Sequence, residues 1–357
     1  MSSPLPPRQW GPRKILARTA LAVFVLVLAA TVWLVRPLPP LPPGPTPNPA
    51  ASYEAAMERV AAVQATEAAL PLHDGGRSII LTHGRRTERV FVLLHGLTNA
   101  PRQFADLGAK LFAGGANVII PRLAHHGLAD RMTTEHAAMT AADLVRYADN
   151  ALDLAEGLGE HVTVVGLSVS GISAAWLAFT RRDLDQAFLL APLLGLRGVP
   201  QWAMVPLTSA LVRLPNRFLW WNPKLRENLP GPPYNYPRFP TSGLGEALWL
   251  AENVAAQKGP LAVRRLGIVL TAGDLAVDNA RTLRLAGQWR EASPDTQFFI
   301  HEFPAAERIP HDFIDPLQPD AQTEKVNPLL VEWLLAEPGA DAATSPPRTT
   351  PSASPGA

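Results

Sequence analysis

The feature that most constrains this chain is a rhythm of short runs that are apolar throughout. "RVFVLLHG", "NVIIPRL" (117–123), "HVTVVG", "QAFLLAPLL", "GIVLTAGD" and "TQFFIHEF" are rich in β-branched and aromatic residues and do not alternate with polar ones. Between two of them, "AADLVRYADNALDLAEGLG" carries Leu144, Val145, Ala148 and Leu152 at helical spacing. Strands that are apolar on both faces must be covered on both. The pattern therefore predicts an α/β protein, a mostly parallel central sheet with helices on either side. "SIILTHG" adds a further short strand, separated from the next by the charged turn "RRTE". The rhythm breaks once, over about residues 193–262, where Trp202, Trp220, Trp221, Trp249 and "LPGPPYNYPRFP" fall. This stretch reads as an inserted cap.

The flanks differ in composition from this body, which is expected over 51–336. Eight of the thirteen residues from Pro37 to Pro49 are proline, which favours an extended, semi-rigid stalk over 37–50. The tail 337–357 is rich in Ala, Pro, Ser and Thr and is expected to be disordered. Near the N-terminus, seventeen residues from Thr19 to Val35 carry no charge; at 1.5 Å per residue they span roughly 26 Å, near the lower limit for crossing a bilayer. Arg8, Arg13, Lys14 and Arg18 precede the run, and Arg36 alone follows closely. The positive-inside bias then makes 1–14 cytoplasmic, 15–36 a single-pass signal anchor, and places the body on the extracytoplasmic side. A cleaved signal peptide is the competing reading. The length of the run and the lack of a small-x-small cleavage site before the prolines count against it.

A formal net charge of +1 and the absence of a long Lys/Arg run leave no electrostatic footprint for nucleic acid. With no cysteine, disulfides and thiolate metal sites are excluded. No His-x-x-x-His pair, carboxylate cluster or glycine-rich phosphate loop calls for a metal or cofactor.

The chemistry centres on "VTVVGLSVSG" (162–171). A strand, a tight turn between glycines and a helix form a nucleophile elbow, which lifts the central serine above the sheet edge. Gly166, Leu167, Ser168 and Val169 fit the first four positions of G-x-S-x-G; Ser170 stands in the fifth, with Gly171 after it. Upstream, "FVLLHGLTNAP" ends a strand in His95-Gly96, where a turn can aim the Leu97 N–H at the nucleophile. Paired with the Val169 N–H it makes a two-donor oxyanion hole. Asp274, at the end of "GIVLTAG", is the expected orienting acid, with Asp278 as the alternative to its reading as a helix cap. His311, in the loop "RIPHDFIDP" after the last strand, is the expected base. His301 is expected to be structural within its strand, His95 and His126 to orient loops, and His73, His83, His136 and His161 to lie on the surface.

Taken in order, "LLHGLT", "PRLAHHG", "GLSVSG", "TAGDLAVD" and "PHDFIDP" resemble the α/β-hydrolase superfamily, in its carboxylesterase and monoacylglycerol-lipase-like (serine aminopeptidase-like) branch, over about residues 75–335. The resemblance implies Ser168 as nucleophile, Asp274 as acid, His311 as base, and Leu97 and Val169 as oxyanion donors. It implies a small acyl ester or lipid substrate; the membrane partner is expected from the N-terminal helix, and no cofactor is expected from the motifs present. Two positions depart from the pattern: Ser170 replaces a glycine, and His125 replaces the glycine usual before His-Gly. An acyltransferase or peptidase on the same triad, and an inert binding protein on the same fold, are the competing functions.

Overall fold

The computed structural model describes residues 12–336; the first eleven residues of the expected cytoplasmic segment and the tail 337–357 lie outside the described residues. The seven apolar runs all form strands, β1 (Ile79–Leu81), β2 (Thr87–Leu94), β3 (Asn117–Ile120), β4 (Gly159–Leu167), β5 (Gln186–Leu190), β8 (Arg265–Thr271) and β9 (Gln297–Phe303). They make one sheet in the order β1-β3-β2-β4-β5-β8-β9. Only β1 is antiparallel to its neighbour; every other pairing is parallel.

Helices α3 (Ala105–Ala113), α4 (Ala141–Ala155), α5 (Val169–Thr180), α8 (Asn279–Ala292) and α9 (Thr323–Leu335) connect and flank the strands. α4 begins at a capping box, with Thr140 and Asp143 satisfying each other's backbone N–H groups. α5 is apolar or small nearly all round, and residues 169–178 are all buried. Such a helix must be enclosed. It packs on β4 and β5 and touches both α4, which also lies on the sheet, and α7 (Thr241–Ala255).

The insertion divides in two. Its first part holds α6 (Gln201–Arg213) and an antiparallel hairpin of β6 (Phe218–Trp220) and β7 (Arg238–Pro240). Its second part, α7, buries Leu248, Leu250, Ala251 and Val254 in the main core, packed against α5 and α4 as well as α6. The portion that stands off as a cap is therefore shorter than composition suggested. Most of its tryptophans lie in that portion; Trp249 lies on α7.

At the N-terminus, α1 (Pro12–Val35) contains a 20-residue stretch, Leu16–Val35, of mean hydropathy 2.2 with none of its span buried. By length and composition it fits a membrane span or a signal sequence. The proline-rich segment that follows is extended but lies along the body. The Pro39 carbonyl accepts from the Trp249 indole at 2.9 Å, the Leu41 N–H reaches Asn253 Oδ1 at 2.8 Å, and the Asn48 N–H reaches Asp153 Oδ2 at 2.9 Å. Proline cannot donate, so the contacts use its carbonyls and the N–H groups of the few other residues. α2 (Tyr53–Ala68) then begins at the Ser52 cap.

Candidate active site

At the end of β4 the chain turns into α5 through Ser168, which has φ 57° and ψ −115°. A non-glycine residue there is strained, and the surroundings hold it in place. The Ser168 N–H donates to Leu190 O at 2.9 Å, and its carbonyl accepts from Leu193 N at 3.0 Å. The two glycines are required by contact. A Cβ on Gly166 would lie 2.1 Å from Ser170 O, and one on Gly171 would lie 2.9 Å from Pro192 Cβ. Ser170, buried in the first turn of α5, points away from the nucleophile; its hydroxyl donates to His95 O at 2.5 Å. The serine in place of glycine thus fastens the elbow to the β2 loop.

His311 and Asp274 come from the loops after β9 and β8 and meet the serine at the same sheet edge. His311 Nε2 lies 2.9 Å from Ser168 Oγ, and its Nδ1 lies 2.6 Å from Asp274 Oδ2. Asp274 is buried, and its other oxygen accepts from Ala276 N at 2.7 Å and Val277 N at 3.2 Å. Burial alone would raise this carboxyl; the His311 hydrogen bond and charge, with the two backbone donors, hold it below its ordinary value. Burial would likewise lower His311, but the bonded and charged Asp274, with Asp312 beyond it, raises it. Asp278 stands apart from the triad, capping α8 through Arg281 N at 3.0 Å.

The expected oxyanion donors belong to the β2 loop and to the first residue of α5. The Leu97 and Val169 N–H groups take no partner among the described residues. A Cβ on Gly96 would come within 3.8 Å of Ser168 Cβ, which puts the β2 loop beside the nucleophile. His95, fully buried, accepts from Leu123 N at 3.1 Å through Nε2, so its Nδ1 carries the proton and donates to Gly96 O at 3.0 Å. C=O and N–H of one trans peptide point in opposite directions. Holding Gly96 O therefore sets the direction of the Leu97 N–H. From the cap, Trp221 Nε1 donates to Thr98 Oγ1 at 3.0 Å and Tyr236 N to Thr98 O at 2.8 Å, so the cap touches the oxyanion loop directly. A cleft of ≈ 430 Å³ opens beside Asp274, bounded by residues 197–200 on the way into α6.

Of the other histidines, His126 packs as a loop residue between His95 and Tyr236, and His301 lies against Trp333. His136, expected on the surface, is fully buried: the cap closes over it with Tyr236 and Phe218 at 4.6 and 5.3 Å between ring centres. His125 adopts φ 64°, the left-handed conformation for which glycine is usual at that position. Three polar residues that the sequence did not single out, Asn99, Gln103 and Asp312, form a hydrogen-bonded group whose Asp312 is next to His311 in the chain. Their one signal was Asp312's place directly after His311.

No protein-family model matches the chain, and no curated protein matches it. Solved structures do. A metagenome-derived lipolytic enzyme of the LipS and LipT pair is 16% identical, covers 74% of this chain and 97% of its own, and superposes with a TM-score of 0.53. The monoacylglycerol lipase of Paleococcus ferrophilus is 18% identical over 72% of this chain and 97% of its own, TM-score 0.53. A soluble variant of the monoglyceride lipase of Saccharomyces cerevisiae is 14% identical over 72% and 90%, TM-score 0.50. At such identities the likeness carries the fold, which is the α/β-hydrolase fold.

Proposed function

We propose that this α/β-hydrolase-fold chain is a membrane-anchored serine hydrolase that cleaves carboxylic esters through an acyl-enzyme. The observation that carries the reading is the unbroken chain from Asp274 Oδ2 to His311 Nδ1 at 2.6 Å and from His311 Nε2 to Ser168 Oγ at 2.9 Å. In that chain the Ser168 hydroxyl passes its proton to His311 Nε2 as Oγ attacks the ester carbonyl. The oxyanion of the tetrahedral intermediate accepts from the Leu97 and Val169 N–H groups, and the ionised Asp274 stabilises the imidazolium. His311 then gives the proton to the departing alcohol. Water, deprotonated by the same ring, releases the acid and restores Ser168. Each oxyanion donor contributes on the order of 3 kcal/mol to lowering the barrier.

An acyl or lipid ester close to a bilayer is the substrate class that the surroundings of the site support. α6 carries no charge from Gln201 to Val212, exposes Trp202 at 80%, and packs against α1. Arg213, at its end, donates to Leu34 O at 3.0 Å and Arg36 O at 2.6 Å and stacks 5.5 Å above the Trp33 ring. With α1 spanning the bilayer and the body outside the cytoplasm, the cap meets the interface where the helix leaves it. The structural relatives named above include a lipolytic enzyme and two monoacylglycerol lipases.

Labelling by a fluorophosphonate probe, compared between the wild type and Ser168→Ala, tests the nucleophile. A p-nitrophenyl ester series of rising chain length then separates short-chain esterase from lipase. Equal turnover by the two proteins rejects the reading. Labelling without ester hydrolysis would turn it toward the acyltransferase or peptidase alternative, and no labelling toward an inert binding protein.

A further inference from the structure

We infer that Gln103 and Asp312 are positioning residues that join the loop of the base to the loop of the oxyanion hole, so that one buried hydrogen-bonded pair sets both. The inference rests on the triad assigned above.

The two loops leave the sheet far apart. The oxyanion loop follows β2 and the base loop follows β9, with β4, β5 and β8 between them in the sheet. Gln103 and Asp312 bridge that separation. Gln103 Nε2 donates to Asp312 Oδ2 at 2.7 Å, while Gln103 Oε1 accepts from Gly96 N at 2.9 Å. Both ends of the amide are used, one only as donor and one only as acceptor, so the carboxamide has a single orientation. Asn99 Nδ2 adds a second donor to Asp312 Oδ2 at 3.1 Å, and the Asn99 carbonyl holds Ala100 N at 2.9 Å. Gln103 and Asn99 are 2% and 3% exposed, so water does not compete. Gly96 is thereby held on both sides, by Gln103 at its N–H and by His95 at its carbonyl. The peptide after it is the one that presents the Leu97 donor.

The choice of a carboxylate here is informative. Asp312 Oδ1 is buried and meets no hydrogen-bond donor, so both of its donors, Gln103 and Asn99, converge on Oδ2. Its charge acts on the neighbouring ring: Asp312 favours the protonated form of His311, the form that the ring takes when Ser168 attacks. Burial first and Asp315 second push the Asp312 carboxyl up to about 7, opposed by Gln103 and His311. The charged and titratable groups around it are His311 on its own loop, Asp315 three residues on, and, around Asp315, Tyr234 of the cap, which donates to Asp315 Oδ2 at 2.6 Å, and Arg102 of the oxyanion loop.

The test uses the full-length protein with p-nitrophenyl butyrate, comparing wild type, Asp312→Asn, Gln103→Met, the double variant and Ser168→Ala. Each single variant is expected to lower kcat at least tenfold while KM changes less than twofold. The double variant should fall no further than the worse single, because both break the same connection. In Asp312→Asn the acid limb of the kcat/KM profile should also move to lower pH, since the charge that raises His311 is gone; a merely structural loss would not move it. Should Asp312→Asn fail to fold, the kcat-against-KM split of Gln103→Met decides the matter alone. Singles within twofold of wild type, losses that multiply in the double variant, or an unmoved acid limb overturn the inference. With Ser168→Ala inactive, those results reject this connection and leave the triad standing; full turnover by Ser168→Ala rejects both.

Discussion

The Ser170 hydroxyl donates to the carbonyl of His95, 75 positions earlier in the chain, at 2.5 Å. One serine therefore joins the helix that follows Ser168, the proposed nucleophile, to the loop that carries Leu97, one proposed oxyanion donor. Replacing Ser170 by alanine leaves a buried carbonyl unsatisfied and should cost about 1–3 kcal/mol of stability. Urea unfolding of the two proteins measures it. Because the loop is also loosened, kcat should fall while the fluorophosphonate label still attaches to Ser168.

Asp274 and Asp278 separate cleanly by role. Asp274→Asn removes the group that fixes the His311 tautomer and should lower kcat by about 10⁴-fold. Asp278→Asn keeps a good cap for α8, so kcat should stay within twofold; Asp278→Ala should lose about 1 kcal/mol of stability and no activity. Steady-state kinetics and thermal melts on the three variants check the assignment.

His311 must be neutral to accept the serine proton, and Asp274 raises its pKa above the ordinary 6.5. The acid limb of kcat/KM should therefore have its midpoint above pH 6.5. The stability from the His311–Asp274 pair runs the other way: it is complete below the unfolded histidine value and is lost as pH rises through the raised folded one. A midpoint below 6.5 in a pH–rate profile would contradict the geometry at Nδ1.

Buried histidines set the acid limit. Burial lowers both His95, in the β2 loop, and His136, under Tyr236 and Phe218 of the cap, to about 4 and keeps each ring neutral. Between pH 6.5 and about 4 the unfolded chain binds protons that the folded chain refuses. Stability that is present above 6.5 is thus lost as pH falls, by about 1.4 kcal/mol per pH unit for each ring. Chemical denaturation at pH 7, 6 and 5 should show this slope, and His136→Phe should lessen it.

Deleting residues 1–36 should release the protein from membranes while leaving hydrolysis of a soluble short-chain ester within a few-fold of the full chain. Carbonate extraction of membranes holding each form, followed by the ester assay, reads both. Should the full-length chain be recovered in the soluble fraction, α1 is not a retained anchor.

Much of this was legible because it depends on local spacing. Short apolar runs rich in β-branched residues and bounded by turn residues fit the strands of a covered sheet, and Gly166-x-Ser168 after such a run leaves little choice of turn. Asp274 and His311 could be singled out because they stand after strand ends, and the structure brings both to Ser168. What escaped depends on contacts between distant segments. His136 has no motif around it, and its burial is the work of Tyr236 and Phe218, about a hundred residues away. Gln103 and Asp312 are 209 positions apart, and neither has a patterned neighbourhood. α7 looked like part of the cap because it lies within a tryptophan- and proline-rich stretch; only its contact with α5 shows that it closes the core.

The residues between α1 and α2 form a fastened strap, pinned at Trp249, Asn253 and Asp153. A loose tether would let the catalytic body sweep a hemisphere above its point of attachment. A pinned one gives it a fixed height and tilt. Were α1 held in a bilayer and the substrate borne by the same lipid, the proposed enzyme would meet it by sideways diffusion, and its rate would follow substrate density per unit area, not concentration in the surrounding fluid.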